Sequence, residues 1–241
     1  MSQAGPFNKG ESFVKDQSTG LWRRVETELL KQNWKKYFTG KILDLGCGGG
    51  EVAQELFFNK GLSFVKPFVK PEWGLDNDKK MVSKAEKSGV YRQVIWGDAV
   101  KIELKDEVAD LVFSNSVLEH INDIDRVLQE IKRVLKPGGL LIATMPSDQL
   151  GEYLDCGKGY SWWFNHKYHH YHLYNLEKWK ELLRKAGLKL EKSYYYLDKQ
   201  TIKQWHKLLW LNKLGIKIKI KPVKAKILPE GAALAILARK I

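Results

Sequence analysis

Three groups of residues in this chain have the types and spacing for chemistry. The first is KILDLGCGGGE, residues 41–51, where apolar Ile42, Leu43 and Leu45 run into four glycines within five residues. Such a turn leaves little room for Cβ atoms, and it lets a ligand lie against the main chain near the amino end of a following helix. The second group is three aspartates, Asp44, Asp76 and Asp98, each at or near the end of a short apolar run. An ionised carboxylate only accepts hydrogen bonds, so it meets sugar hydroxyls, an exocyclic amine or an ammonium group, and it repels a phosphate. The third is GYSWWFNHKYHHYHLYN, residues 159–175, with four of the six histidines and seven aromatics. Those side chains can enclose an acceptor, and a histidine can move a proton.

Apolar periodicity supplies the elements that must position these groups. Residues 20–38 place Leu21, Trp22, Val25, Leu29, Leu30 and Trp34 on one helical face, with Trp22 and Arg23 placed to cover a ligand. A strand at 42–45 precedes the glycine turn, and 51–58 reads as a helix. Two FVKP units follow, and Pro67 and Pro71 impose an extended path on them. The pattern then alternates: strand 73–75 ending at Asp76, helix 79–88, strand 93–96 ending at Gly97-Asp98, and strand 109–114. Asn122 or Asp123 can cap a helix whose stripe is Ile124, Val127, Leu128, Ile131, Val134 and Leu135. Pro137-Gly138-Gly139 ends it, and 140–145 is a continuous apolar strand of the kind buried on both faces. Asn175 caps a further helix, closed by Gly187, and 188–196 and 232–240 are the last strands. This order predicts a doubly wound, Rossmann-like α/β fold with a mostly parallel sheet and helices on both faces.

The chain of 241 residues suits a single domain, 1–241, with three elaborations: a covering helix at 20–38, an aromatic, histidine-rich cap at 148–175 and a basic insertion at 200–229. Two cysteines, Cys47 and Cys156, make no disulfide framework and have no metal-ligand spacing, which suits a reducing cytoplasm. The first twelve residues lack the apolar core of a signal peptide, and no 18-residue apolar run could span a bilayer. Net charge is +13, and nine lysines with no acidic residue lie between Lys199 and Lys226. There, Ile202, Trp205, Leu208, Leu209 and Trp210 form a helical stripe, and Ile216, Ile218 and Ile220 alternate with lysines as a strand would. A basic amphipathic segment with tryptophans fits peripheral membrane contact through 200–226; a lid with lysine-protected edges is the other reading.

Two adenosine-bearing cofactors compete for the glycine turn. A dinucleotide fingerprint is met in its G-x-G-x-x-A form from Gly48 to Ala53, but Glu51 sits awkwardly beside a pyrophosphate. Asp44 has no use for an anion and suits a ligand with an ammonium group, which favours S-adenosylmethionine over a nicotinamide dinucleotide. At this point five stretches, ILDLGCGGG, GLDNDKKM, VIWGDA, ADLVFSNSVLEHIND and VLKPGGLLIATMPS, together resemble the class I S-adenosylmethionine-dependent methyltransferases over about residues 40–147. The likeness is to the small-molecule branch that includes ubiquinone/menaquinone and sterol enzymes.

The resemblance implies a seven-stranded sheet of order 3-2-1-4-5-7-6 with an antiparallel seventh strand. It implies that Asp44, Gly46, Cys47 and Gly48 line the methionine portion, Asp76 holds the ribose, and Asn77 lies beside the adenine. Asp98 and Ala99 would hold the adenine amine and ring, and Asn115 would lie near the reactive methyl. The FVKP link between the turn and Asp76 is longer than the family's pattern. The acceptor would be a small or lipid-linked metabolite. Substrate candidates are His166, Tyr168 and His169, and candidates for a general base are His120 and His169. No metal is expected, because His166-x-x-His169 has no Cys or carboxylate beside it. SNSV at 114–117 lacks the proline-aromatic tetrapeptide of nucleic-acid amino-methyltransferases, so charge does not make this a nucleic-acid enzyme. The alternatives are a catalytically inactive cofactor-binding partner subunit and an NAD-dependent oxidoreductase. Oligomeric state is not legible in the sequence.

Overall fold

The central strands are unbroken apolar runs because helices cover both of their faces. In the computed structural model, which describes residues 16–58, 70–218 and 223–241, all four residues of β1 (Ile42–Leu45) are buried. So are nearly all residues from Leu140 on in β5 (Leu135–Pro146), and the first six of β7 (Ala233–Lys240). With β2 (Trp73–Asp76), β3 (Gln93–Trp96), β4 (Ala109–Asn115) and β6 (Leu188–Tyr196) they form one seven-stranded sheet of order 3-2-1-4-5-7-6. Pairings β1–β2, β2–β3, β1–β4 and β4–β5 are parallel, and β7 runs antiparallel between β5 and β6. Strand order reverses between β1 and β4. A crevice therefore opens at their carboxyl ends, where a ligand can enter.

Local chemistry sets the helix limits. Helix α1 (Gln17–Trp34) begins earlier than its apolar face, because the Asp16 carboxylate accepts the amides of Ser18 and Thr19. It ends at Trp34, and a 3₁₀ turn, Lys35–Tyr37, completes the span expected to 38. Helices α2 (Glu51–Phe58) and α3 (Lys79–Ser88) fall where the pattern places them. Asp123, not Asn122, caps α4 (Ile124–Val134) through the Arg126 amide. Leu135, counted in the helical stripe, instead starts β5 and pairs with Ala109 before a register shift across 136–139. Asn175 caps α7 (Leu176–Lys185).

Two expectations need correction, and the cap, whose secondary structure the sequence left open, holds two short helices, α5 (Leu150–Tyr153) and α6 (Lys158–Lys167). Their polar and aromatic residues carry too weak an apolar period to announce a helix. Trp210 does not join the inward stripe of α8 (Lys199–Lys213); it is 49% exposed, while Ile202 and Leu208 are buried. Finally, residues 216–218 form no strand, and the rest of that alternation lies outside the described residues. The Gln17 side chain takes their backbone groups, donating to the Ile216 carbonyl and accepting from the Ile218 amide.

The turn after β1 admits no side chain at Gly46. Its φ is +73°, and a Cβ there would lie 2.3 Å from a methyl carbon of Val117. Replacing Gly46 with Ala is expected to cost roughly 1–3 kcal/mol of stability from the backbone alone. Chemical denaturation reads this, and an unchanged unfolding midpoint would show that the turn is not so constrained.

Candidate functional site

The glycine turn is pinned to the end of β2 by a fan of backbone donors. The amides of Gly46 and Cys47 both donate to the Leu75 carbonyl, and Gly48 donates to Asp76 Oδ2 at 2.8 Å. Asp76 Oδ1 accepts the Asp78 amide. Asn77 is exposed, and its carbonyl accepts Trp96 Nε1. Asp98 is exposed after β3, with Oδ1 accepting the Val100 amide, and Ala99 behind it is buried.

Gly46, Leu75, Asp76, Asn77, Asp98 and Ala99 line a cleft of about 540 Å³, closed on the far side by Ser116, Val117, His120 and Tyr171, while Gly48 is not among its lining residues. Among the described residues its lining includes the carboxylates of Asp76, Asp98 and Asp123 and no lysine or arginine. A pyrophosphate would meet repulsion there without compensation. An adenosyl group carrying a sulfonium fits: the carboxylates accept from its hydroxyls and amine, and its positive charge is favoured.

Asp44 and Cys47 sit beneath the turn and not on the cleft wall. Asp44 is 3% exposed, and its Oδ2 accepts the Tyr91 hydroxyl at 2.6 Å. Burial pushes the Asp44 carboxyl up to about 7, against the pull of the Tyr91 hydrogen bond, and Asp76 adds to the rise. Burial also pushes the Cys47 thiol up, so it stays protonated and is no nucleophile. Tyr91 reaches Asp44 because β2 has a glycine at 74, where a Cβ would stand 3.0 Å from the ring. Nothing local to Tyr91 marks it out in the sequence.

A second cavity, of about 140 Å³, adjoins the cleft, and Ser116 and His120 line both. Trp22, Trp205, Pro146 and Leu150 make its apolar wall, while Arg23, Glu119 and His170 bring polar groups. Arg23 Nη1 donates to Glu26 Oε2, Asn115 Oδ1 and Ser116 Oγ, at 2.6–2.8 Å. Burial works against its charge, but the Glu26 carboxylate more than offsets this and raises the guanidinium pKa. Asn115 is buried with both ends of its amide used, since Nδ2 donates to Thr144 Oγ1. Its backbone neighbour Ser116, at φ +50°, faces both spaces, as His120 does.

His120 Nδ1 lies 3.2 Å from the His169 carbonyl. A carbonyl only accepts, so Nδ1 carries the proton and Nε2 keeps its lone pair. Burial lowers the His120 pKa, holding the ring neutral, and Nε2 lies 3.6 Å from Glu119 Oε1. Glu119 is 1% exposed, and its Oε2 has no hydrogen-bond partner. Burial pushes its carboxyl up to about 8, and Arg23 offsets only part of this. Burial, with His120 close by, lowers His170 to about 4.

The other histidines of the cap are elsewhere. His166 is exposed and stacks on Trp162, and His169 is exposed and offers only its carbonyl. Tyr168 packs on Phe164. Buried His172 is a strut, its Nε2 donating to the Ile121 carbonyl. His170 therefore faces the cavity in place of His166, Tyr168 and His169, because the backbone reverses at His169, φ +53°. The residues missed from the sequence are Ser116, Glu119 and Tyr91. Glu119 had one signal, an acidic residue directly after the apolar pair Val117-Leu118 and beside His120.

Comparison with known proteins agrees with this geometry. Residues 43–143 match the methyltransferase domain family. The chain is 27% identical over 133 residues to a malonyl-[acyl-carrier protein] O-methyltransferase of Buchnera aphidicola, covering 55% of this chain and 50% of that one. It is 31% identical over 106 residues to a sterol 24-C-methyltransferase of Aspergillus fumigatus, covering 42% and 26%. The chain thus spans about half the length of these curated relatives or less. A solved S-adenosylmethionine-dependent methyltransferase of Thermotoga maritima aligns over 93% of this chain and 92% of its own, with TM-score 0.65 and 24% identity. That likeness speaks for the fold.

Glu119 gives stability a pH dependence. Its folded-state pKa lies above the unfolded value of 4.5, so its contribution is full below that pH and is lost as pH rises through about 8. Asp44 acts in the same sense toward about 7, while His170 acts in the opposite sense below 6.5. Glu119→Gln is therefore expected to lose less stability between about pH 5 and about pH 9 than the parent, by on the order of 3 kcal/mol. Urea unfolding at both pH values measures this; equal losses in the two proteins would contradict it.

Proposed function

Because residues 43–143 match the methyltransferase domain family, we propose that this protein transfers a methyl group from S-adenosylmethionine to a small or lipid-linked metabolite. The observation that carries the reading is the junction of two cavities at Ser116 and His120. One is acidic and sized for an adenosyl group, and the other is small, largely apolar and furnished with neutral proton acceptors.

When bound, the donor supplies an electrophilic methyl group on a positively charged sulfur. The protein's part is alignment and proton removal. Asp76 and Asp98 hold the ribose and adenine ends, with Asn77 and Ala99 beside the base, and the turn at Gly46 and Gly48 supports the methionine end. His120 Nε2 takes the proton from the acceptor atom, and the His169 carbonyl keeps the ring in the required tautomer. Trp22 and Trp205 exclude water from the acceptor space. A cavity of this size takes only the reactive head of an acceptor, which leaves room for a longer tail outside. The malonyl-acyl carrier and sterol substrates of the relatives named above support a lipid-linked acceptor. Work in the cytoplasm, with peripheral contact through 200–226, belongs to the same proposal. Among the described residues no helix is long and apolar enough to cross a membrane.

Two variants separate the roles. Asp76→Ala is expected to weaken S-adenosylmethionine binding at least about tenfold, as loss of hydrogen bonds to a charged group does. His120→Ala should leave that affinity within about threefold yet slow methyl transfer by about 10²-fold or more. The first is read by calorimetry, and the second by following labelled methyl from the donor into a metabolite extract. Donor binding with no label transferred to any extract component would point instead to an inactive partner subunit.

A further inference from the structure

Helix α8 walls the acceptor cavity through Trp205, with α6 packed behind it, and each helix is aromatic on both its inner and its outer face. Inside, Phe164 of α6 packs edge-on against Trp205 of α8, with ring centroids 5.9 Å apart, and Trp205 lines the cavity. Outside, Trp162, Trp163 and Trp210 are 68%, 40% and 49% exposed. Leu214, one helical turn beyond Trp210, is 70% exposed, and Ile216 and Ile218 follow at 45% and 44%. A monomer gains nothing by leaving so much apolar surface in water, and a patch of this kind marks a contact.

The charge around the patch identifies the contact. Lys213 Nζ lies 4.3 Å from the centre of the Trp210 ring and 5.9 Å from that of Trp163, and Lys167 lies 4.8 Å from that of Trp163. Lysine ammonium groups thus lie over exposed tryptophan rings, which puts cations and amphipathic aromatics on one surface, the pairing that suits a lipid–water boundary. Among the described residues of 199–226, Lys207, Lys213, Lys217 and Lys224 carry no ion pair, and no acidic residue lies in that segment. Asp155 and Asp198 neutralise only Lys199, Lys203 and Lys226.

We infer that the outer face of α6, α8 and residues 214–218 docks on an anionic lipid surface, setting the acceptor cavity one helix away from the membrane. Apolar insertion and lysine attraction are the two signals that peripheral anchoring needs, and neither suffices alone. A helix with its side chains is about 10 Å across. A lipid-linked acceptor could therefore present its head to Trp205, His120 and His170 while its tail stays in the bilayer. The inference rests on the lipid-linked reading of the acceptor and extends it to the surface that delivers one.

The test uses the full chain without the methyl donor, sedimented with vesicles of phosphatidylcholine alone or mixed with phosphatidylserine. Pelleting with the anionic vesicles only, and release as salt rises from about 0.1 M to about 1 M, is the expected result. The double variant Trp163→Ala/Trp210→Ala should bind those vesicles at least about tenfold more weakly. Both positions are exposed, so its melting temperature and S-adenosylmethionine affinity should match the parent's. Failure of the parent to pellet, equal pelleting with both vesicle types, or undiminished binding by the double variant would overturn the assignment. Donor affinity is read separately, so a negative vesicle result leaves the methyltransferase reading intact.

Discussion

The site depends on one ion pair, between a half-buried arginine and a fully buried glutamate. Arg23 and Glu26 lie one turn apart on α1, and between them they join that helix to both halves of the sheet. Arg23 reaches Asn115 and Ser116 at the end of β4, and Glu26 accepts the Tyr196 hydroxyl from the end of β6. Taking two such charges out of water is costly, and their mutual attraction repays it only when the remaining donors and acceptors are also satisfied. Here Asn115 and Ser116 accept from the Arg23 guanidinium and Tyr196 donates to the Glu26 carboxylate, which ties α1 to the sheet. That seating puts Trp22 and Arg23 on the wall of the smaller cavity, and Trp22 there meets Trp205 of α8 with ring centroids 5.2 Å apart. Without the pair, the cavity would lack its roof.

Electrostatics divides the two spaces that meet at Ser116. The cleft displays carboxylates on strand ends that are open to solvent, where charge costs little. The cavity holds its acid and two of its imidazoles in a desolvated setting, where each favours its neutral form. A cationic donor is therefore drawn to one side, while neutral proton acceptors wait on the other. One chain runs both environments because β4 ends at the boundary, and the backbone from Asn115 to His120 turns from the first space into the second.

The parts of this arrangement legible in the sequence are those set by residues close together in the chain. Strand ends carrying Asp44, Asp76 and Asp98 follow from alternation. The turn at Gly46 follows from glycine density, and the strand order from five stretches in sequence. What escaped reading depends on partners far apart. Tyr91 meets Asp44 across 47 residues, and Arg23 meets Asn115 across 92. The cap misled for a different reason. Its histidines are adjacent in sequence but point in different directions, because α6 ends at Lys167 and the chain reverses at His169. Similarly, the Ile–Lys alternation after α8 has the strand period but no strand beside it at 216–218, and the Gln17 side chain takes those backbone groups instead.

The central claim is that a lining of carboxylates, with no lysine or arginine among the described residues, makes the cleft a site for an adenosyl-sulfonium and unfit for a dinucleotide. The most direct measurement is calorimetric titration of the pure protein with S-adenosylmethionine, its demethylated product and a reduced nicotinamide dinucleotide. The account predicts saturable binding of the first two at one site per chain and no heat from the third. Binding of the dinucleotide, or silence from both adenosyl ligands, would contradict it.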